Sequence, residues 1–231
     1  SNAAAGSVTL DEVASLAALA EAGLPAVAHR LCHSEDDVRR ALAELGAPVV
    51  AKGVSPDITH KSELGLVRLG LADQAQALAA FAELDRTLRG LAASQGIRHG
   101  GVLLARQRSG AFELAVGAHI DDVYGPVVMV GQGGVLVEAI DDVQFLVAPF
   151  NATQAREAIG RLRIARAFGA QRGMEAVDID ALAQMLVRLG DWMAAARGQV
   201  RSVDANPVMV NRGEVAPVLV DAVVIRAGVS A

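Results

Sequence analysis

The pattern of apolar residues changes near residues 94–101, and no other feature of the sequence constrains the fold as strongly. Before this stretch helical periodicity alternates with short β-branched runs, whereas after it strand-like runs follow one another, as at 102–104 and 126–130. Such a change of pattern is typical of α+β architecture. The stretch itself is polar and carries glycines, which favours a domain boundary. The sequence therefore predicts two α+β lobes, at residues 4–97 and 98–231, with a ligand cleft between them.

Short signals predict where individual elements begin and end. The pattern Thr9-Leu10-Asp11-Glu12 indicates a capping box that opens a helix ending near Gly23, and 24–27 has the character of a short edge strand. Further strands are expected over 49–51, 66–71, 102–104, 113–116, 126–130, 135–140, 202–203 and 218–220. Further helices are expected from Ser34 to Gly46 and over 73–91, 153–168 and 178–193.

Composition narrows the class of protein. With 231 residues, 52% of them hydrophobic, the chain can bury a large core. Its net charge of −5 and the lack of a basic block argue against nucleic acid or a membrane surface as the main partner, and its apolar runs are too short to span a membrane. The single cysteine, Cys32, suits a reducing cytoplasm. We expect a cytoplasmic protein in which Cys32 is an inert thiol rather than a reactive pair with His33.

The stretch 48–70 carries groups that can hold a phosphoryl group. A β-branched run delivers Lys52, and after a Gly-Val-Ser-Pro turn come His60, Lys61 and Gly65. Lysines neutralise phosphate oxygens, glycines let backbone N–H groups approach, and an imidazole can attack phosphorus. Lys52 can also be an ordinary surface lysine, and histidines in proteins are more often structural than catalytic. The position of His60 beside Lys61 favours the phosphate interpretation.

Acidic and amide side chains near the C-terminus suit a magnesium ion. Asp204 and Asn206 are two residues apart in a predicted strand, so their side chains share one face, and Asp221 lies on the next strand. Hard oxygen ligands of this kind fit Mg²⁺ held jointly with nucleotide phosphates, although Asp-x-Asn-Pro can also be a polar turn. The glycine turn at 131–134 fits a hairpin and lacks the spacing of a Walker loop or a dinucleotide-binding fingerprint.

Taken together and in this order, the motifs resemble the ATP-grasp domain, or β subunit, of ADP-forming acyl-CoA synthetases. The resemblance covers about Thr9 to Ile225. It is carried by Pro48 to Val67, Glu113 to Val143, Arg172-Gly173, Asp204 to Pro207 and Val220-Asp221-Ala222.

This resemblance implies an ATP-grasp fold with ATP or ADP and Mg²⁺ bound between its lobes. Lys52 would bind the α-phosphate region, Asn206 and Asp221 would bind Mg²⁺, and Asp204 would border the phosphoryl group together with Gly133-Gly134. His60 would carry phosphate between ATP and a partner. The remaining positions that the resemblance assigns to nucleotide binding are Lys61, Ser62, Gly65, Arg106, Gln107 and Glu113.

The resemblance also implies a ligase that works with a partner. A CoA-binding α subunit or fused domain would carry the acyl phosphate and acyl-CoA chemistry, so we expect a hetero-oligomer. The sequence departs from the family pattern in three ways: Leu66 replaces a glycine, Ala105-Arg106-Gln107 replaces Gln-Glu-Met, and Ile120 replaces a basic residue. These departures motivate an alternative, a regulatory module or the synthetase-like part of a fused protein acetyltransferase, which binds nucleotide without ligase activity.

Overall fold

The computed structural model describes residues 6–58, 61, 63–134, 142–170, 173–214 and 216–228. The chain forms two compact units, each with its own sheet and core. Unit 1 comprises Ser1–Leu10, Ser15–Ala26 and Ser109–Ala231, and unit 2 comprises Asp11–Ala14 and Val27–Arg108.

Unit 2 is built on a four-stranded antiparallel sheet in the order β2-β5-β3-β4. Its strands are β2 (His29–Cys32), β3 (Val49–Val54), β4 (Val67–Leu71) and β5 (Gly101–Arg106), and its helices are α2 (Glu35–Leu45) and α3 (Gln74–Gln95). Apolar residues of both helices pack on one face of the sheet, among them Val38, Leu84 and Leu88. On β3 the core residues are Val49 and Ala51, so the residues that alternate with them lie on the opposite face.

Local capping signals fix where the helices of unit 2 begin. Ser34 and Asp37 form the capping box of α2 that the sequence predicts, with the Ser34 hydroxyl oxygen accepting from the Asp37 N–H. Hydrogen bonds, the strongest from the His33 N–H, lower the pKa of Asp37 to about 2. Helix α3 begins after Asp73 and ends at Gly96, whose left-handed backbone closes the last turn.

Unit 1 contains a seven-stranded sheet in the order β1-β11-β9-β6-β7-β8, with β10 paired to β9. The strands are β1 (Ser7–Thr9), β6 (Phe112–Asp121), β7 (Gly125–Gln132), β8 (Val143–Val147), β9 (Val200–Val210), β10 (Val218–Leu219) and β11 (Ala222–Ala227). Three helices supply apolar residues to its core: α1 (Glu12–Glu21), α4 (Ala152–Arg161) and α5 (Ile179–Ala195). The α5 residues Leu182, Leu186 and Leu189 are fully buried, as their helical spacing predicts.

The unit boundary differs from the predicted lobe boundary. The sequence predicts a change of lobe after residue 97, but the units change after Arg108 because β5 is a central strand of unit 2, hydrogen-bonded to both β2 and β3. Residues near the N-terminus also belong to unit 1, because β1 pairs with β11. Strand pairing between residues far apart in sequence therefore determines the boundary, and the polar stretch before Gly101 is an ordinary connection within unit 2.

Four strands, β1, β2, β8 and β11, form where the sequence predicts none, and three predicted elements take a different form. Asp11, rather than Thr9, caps α1, since its carboxylate accepts the Ala14 N–H at 2.8 Å. No strand forms at 24–27; only Ala26 makes an isolated bridge, to Leu219. The helix predicted over 153–168 ends at Arg161 and is followed by a 3₁₀ turn at Ile164–Ala167.

The interruption of the predicted 153–168 helix has a clear physical cause. The buried Asp142 carboxylate accepts the backbone N–H groups of Arg163 at 2.9 Å and Ile164 at 3.2 Å. These N–H groups are therefore not used in an α-helical ladder. The predicted strand at 135–140 lies outside the described residues. No helix among the described residues is long and apolar enough to cross a membrane.

Candidate functional site

Unit 2 buries a charged triad of Glu12, Lys52 and Lys61. Lys52 lies on the face of β3 opposite the α2 and α3 core, and only 5% of its surface is exposed. Its Nζ donates to Glu12 Oε1 at 2.6 Å, and Lys61 Nζ donates to Glu12 Oε2. Each carboxylate oxygen thus holds one ammonium group. Because burying an unpaired ammonium group is costly, the shared carboxylate allows two lysines to lie inside the fold.

Glu12 is a functional-site candidate that the sequence interpretation missed. The expected capping box assigned Glu12 to the cap of α1, whereas Asp11 makes the cap and leaves the Glu12 side chain to the lysines. A carboxylate in the first helical turn is also favoured by the helix dipole. Two lysines assigned to a site inside the fold call for a nearby carboxylate, but no sequence signal indicates which acidic residue supplies it.

The segment between β3 and β4 is anchored at its C-terminal end by Leu66. The Leu66 side chain is fully buried in the unit 2 core, its N–H donates to Lys61 O at 2.9 Å, and its carbonyl accepts the Gly53 N–H at 2.8 Å. A Cβ atom on Gly53 would lie 3.0 Å from Leu66 Cδ2, so this glycine makes room for the leucine. Leu66, which replaces a glycine of the family pattern, therefore contributes to the packing of the unit 2 core. Gly65 adopts a positive φ of 64°.

An ion pair anchors the N-terminal end of the same segment. Arg98 Nη2 donates to Asp57 Oδ1 at 2.6 Å, and the Arg98 backbone N–H donates to Asp57 Oδ2 at 2.8 Å. These bonds lower the pKa of Asp57 to about 2. The predicted site residues His60 and Ser62 lie outside the described residues, between these two anchored ends.

Arg106 and Gln107, two positions that the resemblance assigns to the nucleotide, make structural hydrogen bonds. Arg106 Nε donates to the Leu45 carbonyl at 2.7 Å, at the end of α2. Gln107 Oε1 accepts the Gly70 N–H at 2.6 Å. Both side chains thus support the sheet and helix of unit 2, and their nucleotide contact stays a prediction.

In unit 1, β9 places Asp204 and Asn206 on the sheet face opposite the helices. Val203 and Ala205 belong to the core, so the residues that alternate with them lie on the other face. Ala222 pairs with Ala205 and Val223 with Asp204, which places Asp221 at the end of β11 nearest this pair. The structure therefore brings together the three residues predicted to surround a metal.

Electrostatics confirm that two of these acids influence each other. Partial desolvation raises the pKa of Asp204, and the negative charge of Asp221 raises it further. Like charges that interact in this way favour binding of a cation or a proton.

The glycine turn after β7 packs directly against this group. The Gly133 N–H donates to the Glu113 carbonyl at 2.9 Å, and the Gly134 N–H donates to Asn206 Oδ1 at 3.0 Å. A Cβ atom at Gly133 would lie 2.6 Å from the Leu114 carbonyl oxygen, and Gly134 adopts a φ of 73°. Only glycine fits this close approach of two backbones. The turn fixes the orientation of the Asn206 amide.

The donor set of this group fits Mg²⁺. Asp204, Asn206 and Asp221 offer carboxylate and amide oxygens, and Mg²⁺ prefers oxygen ligands. The described residues contain no cluster of three or more His, Cys, Asp or Glu that could hold a metal alone. Mg²⁺ characteristically takes one or two carboxylates and completes its shell with water and phosphate oxygens. The group therefore suits a metal that arrives with a nucleotide.

The remaining candidate from the sequence, Cys32, is inert. Its side chain is fully buried, and burial raises the pKa of its thiol to about 11, with a smaller effect from Asp37. The thiol is therefore protonated at neutral pH, as predicted.

Comparison with known proteins establishes the family. A family model described as an ATP-grasp domain matches residues 1–225. This chain belongs to the ATP-grasp family. The fold predicted from the sequence resemblance is thereby confirmed.

Two ATP-grasp relatives are ligases. The chain is 34% identical over 188 residues to ADP-forming acetate–CoA ligase I of Archaeoglobus fulgidus, covering 81% of this chain but only 27% of that protein. It is 32% identical over 186 residues to the β subunit of ADP-forming acetate–CoA ligase I of Pyrococcus furiosus, covering 80% of this chain and 79% of that subunit. The chain thus spans about a quarter of one relative and most of the other.

Solved ATP-grasp structures show the same fold. A dinucleotide forming acetyl-coenzyme A synthetase 1 of Ca. Korarchaeum cryptofilum, in complex with coenzyme A and Ca-AMPCP, has a TM-score of 0.86 at 31% identity and covers 95% of this chain and 93% of its own. A second structure of that synthetase contains coenzyme A and Mg-AMPPCP, with a phosphohistidine segment pointing towards the nucleotide binding site. It has a TM-score of 0.79 at 31% identity, covering 94% and 92% of the two chains.

Proposed function

We propose that this chain is the ATP-grasp subunit or domain of an ADP-forming acyl-CoA synthetase and that His60 relays phosphate within it. The overall reaction is acid + CoA + ATP giving acyl-CoA + ADP + phosphate. The observation that carries the proposal is the pair of buried ammonium groups that share Glu12, Lys52 on β3 and Lys61 in the segment that contains His60. Cations close in sequence to a histidine suit a group that accepts and returns a phosphoryl group.

The relay takes place in two transfers. An imidazole nitrogen of His60 attacks the γ-phosphorus of ATP, the bond from that phosphorus to the β,γ-bridging oxygen breaks, and ADP leaves. The phosphohistidine then passes its phosphoryl group to the acid-activating site of a partner. Lys52 and Lys61 offset the negative charge of the phosphate oxygens during transfer, with Lys52 at the α-phosphate region.

The residues of unit 1 hold the metal and the nucleotide. Asn206 and Asp221 bind Mg²⁺, which when present neutralises phosphate charge. Asp204 and the Gly133-Gly134 turn border the phosphoryl group. The other nucleotide contacts in the proposal are Ser62, Gly65, Arg106, Gln107 and Glu113.

The relatives support a partner of defined chemistry. One is named as a β subunit, and the synthetase structures contain coenzyme A. We therefore propose a CoA-binding α subunit or fused domain as the partner, and a hetero-oligomeric assembly. A single buried free cysteine suits a reducing compartment, so we place the protein in the cytoplasm.

Isotope exchange between ATP and ADP tests this function without the partner. Formation of a phosphoenzyme and ADP is reversible, so the chain with Mg²⁺, ATP and labelled ADP should produce labelled ATP. We expect His60→Gln to abolish the exchange. His33→Gln, which changes an exposed histidine outside the site, should retain it. Nucleotide binding without any exchange would contradict the relay and favour the regulatory module.

A further inference from the structure

The chain contains only two lysines, and both belong to the triad with Glu12. Of its 21 lysine and arginine residues only Lys52 and Lys61 are lysines, and every other one is arginine. Both lysines are buried, and both donate to the same carboxylate. The other ion pairs between described residues involve partly or largely exposed arginines and one histidine, as at Arg30, Arg68, Arg98 and His99. The triad thus differs from the other ion pairs of the described residues in burial and in cation type.

We propose that Glu12 is a positioning residue for nucleotide phosphates, which holds the two ammonium groups of Lys52 and Lys61 at one point of unit 2. This inference rests on the proposed function, because it assigns the lysines to the phosphates. It adds a residue that neither the motif nor the donor chemistry of the lysines identifies. Glu12 acts through the lysines and is not itself a phosphate ligand.

The geometry explains why a glutamate and two lysines suit this role. The two oxygens of one carboxylate each accept from a different ammonium group, so a single side chain sets the positions of both. A lysine ammonium is a compact charge on a flexible stem and can turn towards a phosphate, whereas the planar arginine fork favours both carboxylate oxygens at once. The charges of these three side chains sum to +1, from +2 and −1.

The carboxylate is held by a rigid element. Glu12 begins α1, where Asp11 accepts the Ala14 N–H and fixes the first turn. The backbone of Lys61 is held as well, because its carbonyl accepts the N–H of the buried Leu66. The triad thus links the segment that contains His60 to the start of a helix, which limits where Lys61 can lie before nucleotide binds.

The test measures phosphate-dependent binding in the full chain. The affinity for Mg-AMPPCP is measured by calorimetry, and the affinity for adenosine is measured by NMR titration. In Glu12→Gln we expect about a tenfold loss of Mg-AMPPCP affinity, because the lysines lose their common anchor, and less than about a twofold change for adenosine. A residue that only stabilised the fold would change both affinities together or neither.

Two further variants keep the test decisive. Glu35→Gln removes a matched first-turn glutamate whose ion pair with Arg39 is exposed, and should leave both affinities unchanged. Glu12→Asp keeps the charge but shortens the side chain by one methylene, so it should bridge the lysines poorly and lose about threefold to tenfold in Mg-AMPPCP affinity. Glu12→Asp keeps a carboxylate beside the buried lysines. The affinity test can therefore be made with this variant if Glu12→Gln does not fold.

Lysine-selective ¹⁵N labelling gives a direct structural readout, since only two side-chain ammonium signals exist. We expect both signals to shift together in Glu12→Gln and to stay unchanged in Glu35→Gln. Wild-type affinity for Mg-AMPPCP in Glu12→Asp or in a folded Glu12→Gln would overturn the inference, as would loss of the fold in both variants. If wild type itself did not bind Mg-AMPPCP, the proposed function would fail, which is a different outcome.

Discussion

The lysine triad of unit 2 and the acidic group of unit 1, formed by Asp204, Asn206 and Asp221, carry charges of opposite sign. They differ in how that charge is balanced. In the triad, the Glu12 carboxylate forms ion pairs with both buried lysines. In the acidic group, Asp221 raises the pKa of Asp204, so the two carboxylates repel each other. The first region is assembled by its own counter-ion, and the second favours a cation from outside. The comparison teaches that a carboxylate of the protein orders the lysines of the triad, whereas the acidic group offers oxygen ligands that suit an added cation.

The largest effect should come from removing the cation that the triad preorganises. We expect Lys52→Met to slow ATP–ADP exchange by about 10²–10³-fold, as for loss of one preorganised donor to a transferring group. The fold should survive, because Glu12 still pairs with Lys61. Exchange rates and thermal unfolding check this, with Arg30→Met, an exposed ion-pair residue, as control. An unchanged exchange rate would show that Lys52 does not assist phosphoryl transfer, and it would contradict the role given to the triad in this comparison.

The next effect concerns the backbone that shapes the acidic group. Gly133→Ala should lower the free energy of unfolding by about 1–3 kcal/mol, because its Cβ would meet the Leu114 carbonyl oxygen at 2.6 Å. Urea denaturation measures the change. The control, Gly160→Ala in α4, meets no atom within 4 Å and should be neutral or slightly stabilising. Equal effects at the two glycines would show that the turn is not tightly packed.

A smaller effect separates the metal from the phosphates. Asp221→Ala should weaken nucleotide binding about tenfold when Mg²⁺ is present, because a ligand is lost. Without Mg²⁺ it should leave binding unchanged or strengthen it, because a negative charge near the phosphates is gone. Calorimetry with and without Mg²⁺ measures both. Asp122→Ala, in the exposed β6–β7 turn, is the control. The same loss in both conditions would remove Asp221 from the metal site.

The smallest effect tests the repulsion itself. In Mg²⁺-free protein at neutral pH, Asp204→Asn should raise the melting temperature by about 1–2 °C, because it removes the charge that Asp221 disfavours. The pKa of Asp204 is raised on folding, so the ionised carboxylate destabilises the fold above that pKa. The advantage of the variant should therefore vanish as the pH falls below about 4, where both states are protonated. Melting curves of wild type and Asp204→Asn at several pH values measure this difference. A lower melting temperature of the variant at pH 7 would contradict the repulsion.

Much of the local structure follows from the sequence. Helices α2, α3 and α5 begin close to their predicted capping residues, and the strands β3, β4, β5 and β7 lie where β-branched and apolar runs predict them. Short-range signals suffice for these elements because capping and periodicity act within a few residues. The candidate metal group was also predictable, since Asp204 and Asn206 share a face in any strand.

Contacts between residues far apart in the sequence could not be predicted from it. The assignment of β5 to unit 2 depends on pairing with β2 and β3, and the end of α4 depends on the distant Asp142 carboxylate. Glu12 escaped for the same reason, since it is 40 residues from Lys52 in sequence. Local patterns carry no information on such pairs, so the counter-ion of the triad became evident only in three dimensions.

Phosphate labelling of His60 tests the central claim most directly. Wild type incubated with Mg²⁺ and [γ-³²P]ATP should acquire an acid-labile, base-stable label that maps to His60, with His33→Gln labelled normally and His60→Gln unlabelled. Wild type that binds nucleotide but stays unlabelled, with and without a CoA-binding partner, would contradict the account, and so would a label on any other residue.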